Sequence, residues 1–321
     1  MMTGVLDVVT GGAGFIGSHI CEELLRRGGR VRVVDDLSTG KREHLSRLEQ
    51  MFPDRCRLFV EDIRDQERLK RILEGAESVY HQAAVTSVEQ SVRDPRAAQA
   101  VNLDGTLSVL LAARESGVRK VVFASSTAVY GNSGELPKRE SMAPAPLSPY
   151  AVTKLCGELY CRVFSQLSDL PTICLRYFNV FGPRQDPESD YAAVIPRFIT
   201  RMLSGKAPCI YGDGGQSRDF VFVDDVVRAN LLAAESSVEG VSLNVASGAR
   251  FTINQLVQVL NEILGTDFEP MYLEGRLGEV RHSEADVSLA QETLGFTSQV
   301  VFAEGLSRTV EWFQRGKECQ T

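Results

Sequence analysis

Short hydrophobic runs alternate with helical patterns through the first half of the chain. Runs rich in β-branched residues predict six strands, at 5–10, 30–35, 57–62, 78–83, 120–125 and 172–178. Between them, segments such as 18–28 and 106–117 repeat apolar residues at helical spacing, and Gly28 stands where the first of these helices should stop. Alternating strands and helices are typical of an α/β fold, so we predict a Rossmann-type, doubly wound parallel sheet.

The alternation weakens after residue 178, where proline and glycine become more frequent. The segment 220–234 then again looks like a strand followed by a helix. We therefore expect two units, with the chain passing from the first to the second and back again before it ends in the second. A dinucleotide-binding domain comprises 1–178 with a return segment around 219–246, and a smaller C-terminal substrate-binding lobe comprises 179–218 and 247–321.

Composition narrows the class of protein. The 321 residues are 43% hydrophobic and 24% charged, with a formal net charge of -7 and a pI near 5.3, which argues against a nucleic-acid binder. The seven cysteines form no CxxC pair and are expected to be reduced, as in a cytoplasmic protein. We see no signal peptide and no apolar run long enough to span a membrane. The four histidines lack metal-ligand spacing, so no metal is expected.

A glycine-rich turn follows the first strand. Gly11, Gly14 and Gly17 allow a tight turn and a close approach of backbone to a pyrophosphate, and the first helical turn, with Phe15 and Ile16, presents N–H groups to it. Asp35 follows Gly17 by 18 residues, at the end of the second strand, where its carboxylate can accept hydrogen bonds from ribose hydroxyls. Asp36 adds negative charge that would repel a 2′-phosphate. The pattern predicts NAD rather than NADP.

Other candidates come after the later strands and on one helix. Asp62 and Ile63 follow the third strand and are expected near the adenine, and Ala83 and Ala84 follow the fourth, where the cofactor must pass close to the backbone. In SPYAVTK, Tyr150 and Lys154 are spaced i, i+4 on a helix that Ser148 and Pro149 can begin. A lysine near a phenol lowers the phenol's pKa, which would make Tyr150 a general base near neutral pH.

The motifs TGGAGFIG, Asp35, SSTAVYG and YAVTK together resemble the extended short-chain dehydrogenase/reductase family, in particular its nucleotide-sugar epimerases and dehydratases. The resemblance covers essentially the whole chain. It implies that Ser126 donates a hydrogen bond to the sugar oxygen, that Tyr150 transfers the proton, and that Lys154 holds the nicotinamide ribose, with Ser125 lining the cofactor. It also implies a homodimer formed by helices near 95–117 and 149–168, whose apolar candidates are Val109, Leu110, Leu155 and Val163.

The second half of the chain resembles the UDP-sugar 4-epimerases. That resemblance implies that Phe178 touches the nicotinamide, Asn179 a UDP phosphate, and Ala193 and Val194 the uracil. Two arginines, Arg218 and Arg276, match the diphosphate-binding positions, and arginine presents a planar fork that suits phosphate. Thr86 and Ser87 are further substrate-binding candidates by the same resemblance. Ser283 falls at the position that is a bulky tyrosine in glucose-restricted members.

Residues after Ser126 bear on the reaction. Dehydratases and decarboxylases of the family carry an acidic residue there, whereas this chain has Thr127 and Ala128. The 4-keto intermediate should therefore only be reduced again. That outcome is epimerisation, carried out with a tightly bound NAD. The small Ser283 favours UDP-GlcNAc/UDP-GalNAc, with UDP-Glc/UDP-Gal possible. Four alternatives stay open. They are a UDP-glucuronic acid or UDP-GlcNAc uronic acid 4-epimerase with Arg184 on the carboxylate, a dehydratase, a ketoreductase, and a non-catalytic dinucleotide sensor.

Overall fold

A seven-stranded parallel sheet forms the centre of the larger unit. The computed structural model describes residues 4–187, 193–275 and 281–318. The strands lie in the order β10-β6-β5-β4-β1-β2-β3, with every neighbouring pair parallel. Their bounds are Leu6–Thr10 (β1), Arg30–Val34 (β2), Cys56–Phe59 (β3), Ser78–His81 (β4), Lys120–Ser126 (β5), Thr172–Tyr177 (β6) and Val241–Val245 (β10). This confirms the predicted doubly wound α/β fold, and the six predicted strands differ from the observed ones only at their ends.

Helices cover both faces of this sheet. They are Phe15–Arg26 (α1), Glu43–Met51 (α2), Gln66–Leu73 (α3), Val88–Arg93 (α4), Pro95–Gln99 (α5), Gly105–Glu115 (α6), Pro149–Leu167 (α7), Val223–Glu235 (α9) and Ser288–Leu294 (α11). Successive strand residues point to opposite faces, so Val8 belongs to the core under α3, α6 and α7, while Val9 belongs to the core under α1 and α9. Burial on both faces explains why these strands read as continuous apolar runs.

Smaller sheets build the second unit. Strands Asn179–Phe181 (β7), Ser217–Phe222 (β9) and Arg250–Thr252 (β11) form a sheet in the order β11-β9-β7, and Cys209–Tyr211 (β8) pairs with Met271–Leu273 (β12). Helices Val194–Leu203 (α8), Ile253–Leu264 (α10) and Phe302–Glu318 (α12) pack around them. The rings of Phe181, Phe220 and Phe302 meet at the centre of this core with centroids 5.3–6.2 Å apart, Phe220 stacked on Phe302 and Phe181 edge-on to both.

The chain passes between the two units at the ends of α9. Strand β9 lies in the small sheet, α9 covers the large sheet, and β10 is its edge strand. Residues 219–222 of the expected return segment lie in the small sheet, and α9, which begins at Val223, covers the large sheet. Within the described residues, no helix has the length and apolar character needed to cross a membrane.

Candidate active site

The glycine turn between β1 and α1 fits a dinucleotide. Gly11 has a φ of +67°, and a Cβ there would lie 2.6 Å from the backbone nitrogen of Ala83 at the end of β4. A Cβ at Gly17 would lie 2.2 Å from the carbonyl oxygen of Gly11. Only glycine therefore permits these two close approaches. Gly14 is the N-cap of α1 and has no side chain to cap it, so the N–H groups of the first turn are available to phosphate oxygens.

Asp35 joins this turn to the end of β2. Its two carboxylate oxygens accept hydrogen bonds from the backbone nitrogens of Ala13 and Leu37, each at 2.9 Å. Burial raises the pKa of Asp35, while these two bonds act in the opposite direction. Each oxygen keeps a further lone pair, so the carboxylate can still receive ribose hydroxyls. The neighbouring Asp36 is exposed and accepts from the backbone and hydroxyl of Ser38.

The adenine-side candidates have different environments. Asp62 pairs with Arg64 at 2.5 Å, and its carboxylate also accepts from the Arg64 backbone. Ile63 is buried, and its side chain fills the space left by Gly105. Ala83 donates its backbone N–H to Thr10 at 3.3 Å, which places the Ala83–Ala84 segment beside the glycine turn. These residues therefore lie just beyond the carboxyl ends of β3 and β4.

Helix α7 brings Tyr150 and Lys154 to the end of β5. Ser148 caps the helix by accepting from the Ala151 backbone at 3.2 Å, and Pro149 occupies the first turn. The Lys154 ammonium donates to the carbonyl oxygen of Ala124 at 2.8 Å and lies 5.9 Å from the centre of the Tyr150 ring. The Ser126 hydroxyl accepts from the Ala128 backbone at 3.1 Å and lies near enough to Tyr150 to act on the pKa of its phenol. The structure thus brings Ser126, Tyr150 and Lys154 together.

Burial governs the ionisation of this group. It raises the pKa of Tyr150 above its ordinary value, although the nearby Ser126 hydroxyl acts to lower it, and it lowers the pKa of Lys154 to about 8. The prediction that Lys154 lowers the pKa of Tyr150 is therefore wrong for this structure. The physical reason is that the ammonium is directed to the Ala124 carbonyl oxygen, so desolvation of the phenol dominates.

Ser125 and Phe178 make contacts within the protein that the sequence did not predict. The Ser125 hydroxyl donates to the buried Glu158 carboxylate at 2.5 Å. The Phe178 ring is 4% exposed and packs beside Tyr130, with ring centres 6.5 Å apart, in a small hydrophobic cluster. The contact of Phe178 with a nicotinamide stays a prediction.

Arg184 is committed to the first helix. Its guanidinium forms an ion pair with Glu22 on α1 and donates to the Ser18 hydroxyl at 3.3 Å. Both partners of the ion pair are largely buried, with side chains 16% exposed. In this structure the Arg184 cation is thus paired with Glu22, and its contact with a sugar carboxylate stays a prediction.

A cavity of about 240 Å³ lies in the second unit, next to strand β7. Four predicted substrate-binding residues line it, namely Asn179, Ala193, Val194 and Arg218. Among the lining residues that the sequence reasoning missed are Arg197, Tyr211 and Gln216. An aromatic residue ending a short strand before a glycine-rich loop, as in IYGDGGQ, was the available signal. The cavity thus offers arginine, amide and aromatic groups together, which suits a nucleotide diphosphate.

The other predicted substrate residues are not among the described residues that line this cavity. Ser283 is 7% exposed, and its backbone donates to the carbonyl oxygen of Ser217, which precedes Arg218 on β9. Ser87 caps α4 by accepting from the Gln90 backbone at 3.0 Å, and Thr86 is exposed in the loop before it. Arg276 lies outside the described residues.

Asn102 is a further residue that sequence reasoning missed. It lies in a π-helical turn, Ala100–Asp104, and its amide accepts from the Val85 backbone at 2.7 Å and donates to the Val85 carbonyl oxygen at 2.9 Å. The same amide donates to the Thr153 hydroxyl at 3.1 Å, next to Lys154. Asn102 therefore holds the loop after β4 against the helix that carries Tyr150.

No group of three or more histidine, cysteine, aspartate or glutamate side chains could hold a metal ion within the described part of the chain. The six described cysteines are free thiols, and four of them are buried.

Comparison with known proteins identifies related sequences and structures. Residues 8–246 match the model of the NAD dependent epimerase/dehydratase family. The chain is 40% identical to the UDP-glucose 4-epimerase of Mycolicibacterium smegmatis over 309 residues, 96% of this chain and 98% of that protein. It is similar to the structure of UDP-N-acetylglucosamine 4-epimerase from Methanobrevibacter ruminantium in complex with UDP-N-acetylmuramic acid. That likeness has a TM-score of 0.93 at 42% identity and covers 98% and 100% of the two chains. The UDP-glucose 4-epimerase of Thermotoga maritima with UDP-glucose gives 0.92 at 42% identity, with the same coverage.

Proposed function

The chain belongs to the NAD dependent epimerase/dehydratase family, and we propose that it interconverts UDP-N-acetylglucosamine and UDP-N-acetylgalactosamine. This agrees with the resemblance drawn from the motifs. The chain is an NAD-dependent UDP-sugar 4-epimerase, so the proposal concerns the sugar and the residues that act on it. The observation that carries the choice of sugar is the small side chain of Ser283. UDP-glucose and UDP-galactose are further substrates in this proposal, because a wider site also admits the smaller sugar.

The UDP part of the substrate occupies the cavity beside β7. Arg218 and Asn179 lie on one wall and contact the diphosphate, while the Tyr211 ring offers a flat apolar face to the base. Ala193 and Val194 supply backbone and apolar contacts at the start of α8. Binding through the diphosphate fixes the substrate at a distance from C4, so it leaves the sugar ring free to present either face.

Tyr150 and Ser126 act on the 4-oxygen of the sugar. Tyr150 removes the hydroxyl proton in one half of the reaction and returns it in the other, and Ser126 donates a hydrogen bond to the same oxygen. Lys154 holds the nicotinamide ribose and supplies positive charge beside the phenol. NAD, when bound along Gly11, Gly14 and Asp35, supplies the hydride chemistry at C4.

The turn that follows Ser126 favours epimerisation over elimination of water. Residues Thr127–Tyr130 form a 3-10 turn directly after β5, and neither Thr127 nor Ala128 has an acidic side chain. A second proton transfer, which dehydration needs, has no group there to perform it. The commitment of Arg184 to Glu22 argues in addition against the uronic-acid alternatives.

Substitution Tyr150→Phe tests the assignment of the acid–base group. We expect kcat to fall by roughly 10²–10⁴-fold, since the phenol performs the proton transfer, while the fold and NAD content stay unchanged. Tyr160→Phe is the matched control, because this tyrosine lies on the same helix but is 36% exposed. Activity of Tyr150→Phe within a few-fold of the control's would overturn the assignment.

Helix α7 is the proposed site of contact with a second copy of the chain. Apolar side chains repeat along one exposed stripe of this helix, namely Val152, Leu159, Val163 and Leu167, which are 45–79% exposed. Val88 and Val92 on α4 are exposed as well, at 46% and 61%. The candidates Val109 and Leu110, by contrast, are fully buried in the core and take no part. The proposed state is a homodimer that buries this stripe, in a cytoplasmic enzyme.

A further inference from the structure

An ion pair is buried beneath the helix that carries Tyr150 and Lys154. Glu158 lies on α7, one turn after Lys154, and Arg176 lies on β6. Their side chains are 2% and 4% exposed. Arg176 donates through Nε to Oε1 at 2.8 Å and through Nη2 to Oε2 at 2.7 Å, so the contact is a two-pronged fork. Because burying two charges costs nearly as much as their attraction returns, such a pair is weak evidence of a purely stabilising role.

Two serines complete the contacts of the Glu158 carboxylate. Ser125 on β5 donates to Oε1 at 2.5 Å, and Ser242 on β10 donates to Oε2 at 3.0 Å. One carboxylate therefore ties α7 to three neighbouring strands, β5, β6 and β10. The bond from Ser125 is next to the candidate active site, because Ser125 directly precedes Ser126.

The same network continues into the turn that follows Ser126. The Arg176 guanidinium lies 4.8 Å from the centre of the Tyr130 ring, in the turn that follows Ser126. Tyr130 donates to the Asn244 side chain at 2.6 Å, and Asn244 donates to the carbonyl oxygens of Lys138 and Asp286. Asp286 lies three residues after Ser283. Arg176 thus contacts groups on both sides of Ser126. It is linked through Glu158 to Ser125 before it and contacts Tyr130 after it.

We infer that Ser125, Glu158 and Arg176 are positioning residues that set the distance between Ser126 and Tyr150. Ser126 and Tyr150 lie on different elements, so the offset of β5 against α7 decides whether both reach one sugar oxygen. Ser125 and Glu158 join these two elements by side chains, beside the bond from Lys154 to the Ala124 carbonyl oxygen. This inference rests on the proposed roles of Ser126 and Tyr150.

Two serine-to-alanine variants separate positioning from stability. Ser125→Ala and Ser242→Ala each remove one hydrogen bond to the same carboxylate, but only Ser125 is on the strand of Ser126. We expect Ser125→Ala to lower kcat roughly tenfold with KM within about twofold, since small displacements of reacting groups are costly. We expect Ser242→Ala to keep the kcat of the unchanged chain while losing a similar amount of thermal stability. Ser125→Thr, which keeps the hydroxyl, should restore kcat.

The outcomes distinguish this inference from the proposed function. Equal kcat values for Ser125→Ala and Ser242→Ala, at equal melting temperatures, would overturn the positioning role and leave the proposed function intact. Failure of the unchanged chain to epimerise any UDP-sugar would overturn both. Arg176→Lys gives an independent check, because lysine keeps the charge but loses the fork. A lowered kcat with unchanged KM is expected there too.

Discussion

Ser283 is the residue on which the choice of sugar depends. Its side chain is small, and its backbone is bonded to Ser217, next to Arg218 of the diphosphate cavity. In Ser283→Tyr, the added ring should occupy the space of the N-acetyl group. We expect at least a roughly tenfold loss of kcat/KM for UDP-GlcNAc, since steric exclusion of one group is worth about 1–3 kcal/mol, with UDP-glucose turnover retained. Coupled assays on both sugar pairs measure this. Equal losses for the two sugars would contradict the assignment.

The pH dependence of the reaction should report Lys154. Burial lowers the pKa of its ammonium to about 8, so the group loses its proton as the pH rises through that value. In the proposed mechanism the charged form holds the nicotinamide ribose, and kcat/KM should therefore fall above a pH of about 8. Lys154→Arg keeps its charge throughout this range and should remove the alkaline fall, at some cost in activity. A flat profile to high pH in the unchanged chain would contradict the role of Lys154.

Individual residues show where prediction from the sequence stops. Gly11, Asp35, Tyr150 and Lys154 were predictable because their spacing follows from one strand–turn–helix unit or from one helix face. Ser125 was not, because its orientation depends on Glu158, which is 33 residues away. The pKa of Tyr150 was not predictable either, since the extent of its burial depends on the whole packing around it.

At the scale of elements, α7 performs two tasks on opposite faces. One face carries Tyr150, Lys154 and Glu158 toward the sheet, and the other exposes the apolar stripe proposed to pair with a second copy. We expect Val163→Glu to convert the dimer to a monomer, measured as a halved mass by light scattering, because a charge in an apolar interface is costly. Met51→Glu, at an apolar residue 47% exposed on α2, is the control and should leave the mass unchanged. A monomeric unchanged chain would contradict the proposed homodimer.

Elements differed in how readily they could be predicted. The strands of the large sheet are buried on both faces and read as apolar runs, which made them visible in the sequence. Strands β7, β8, β11 and β12 have three residues each, too few to show any alternation. The π-helical turn at Ala100–Asp104 has the same residue pattern as the helices on either side, so its wider winding could not be predicted. Its contacts with Val85 and Thr153 are likewise made with residues distant along the chain.

At the scale of the molecule, the two units divide the work. The large sheet carries the groups proposed for the cofactor and for proton transfer at the ends of β1, β2, β4 and β5. The smaller unit provides the cavity proposed for the diphosphate, beside β7 and β9. Residues of one site thus range from Gly11 to Ser283 along the chain. The sequence motifs predicted four residues that line this cavity but missed others such as Arg197, Tyr211 and Gln216, because the cavity depends on the folding of β7, β8 and α8 around it, which no local pattern encodes.

Product analysis of the unchanged protein tests the central claim most directly. The purified chain is incubated in separate reactions with UDP-GlcNAc and with UDP-glucose, without added cofactor, and the products are followed by proton NMR together with the absorbance of NADH. We expect UDP-GalNAc to accumulate to a fixed equilibrium ratio, with no net formation of NADH, because the hydride returns to the same carbon. Absence of any C4 epimer from UDP-GlcNAc and UDP-glucose alike, or release of a 4-keto-6-deoxy sugar, would contradict the account.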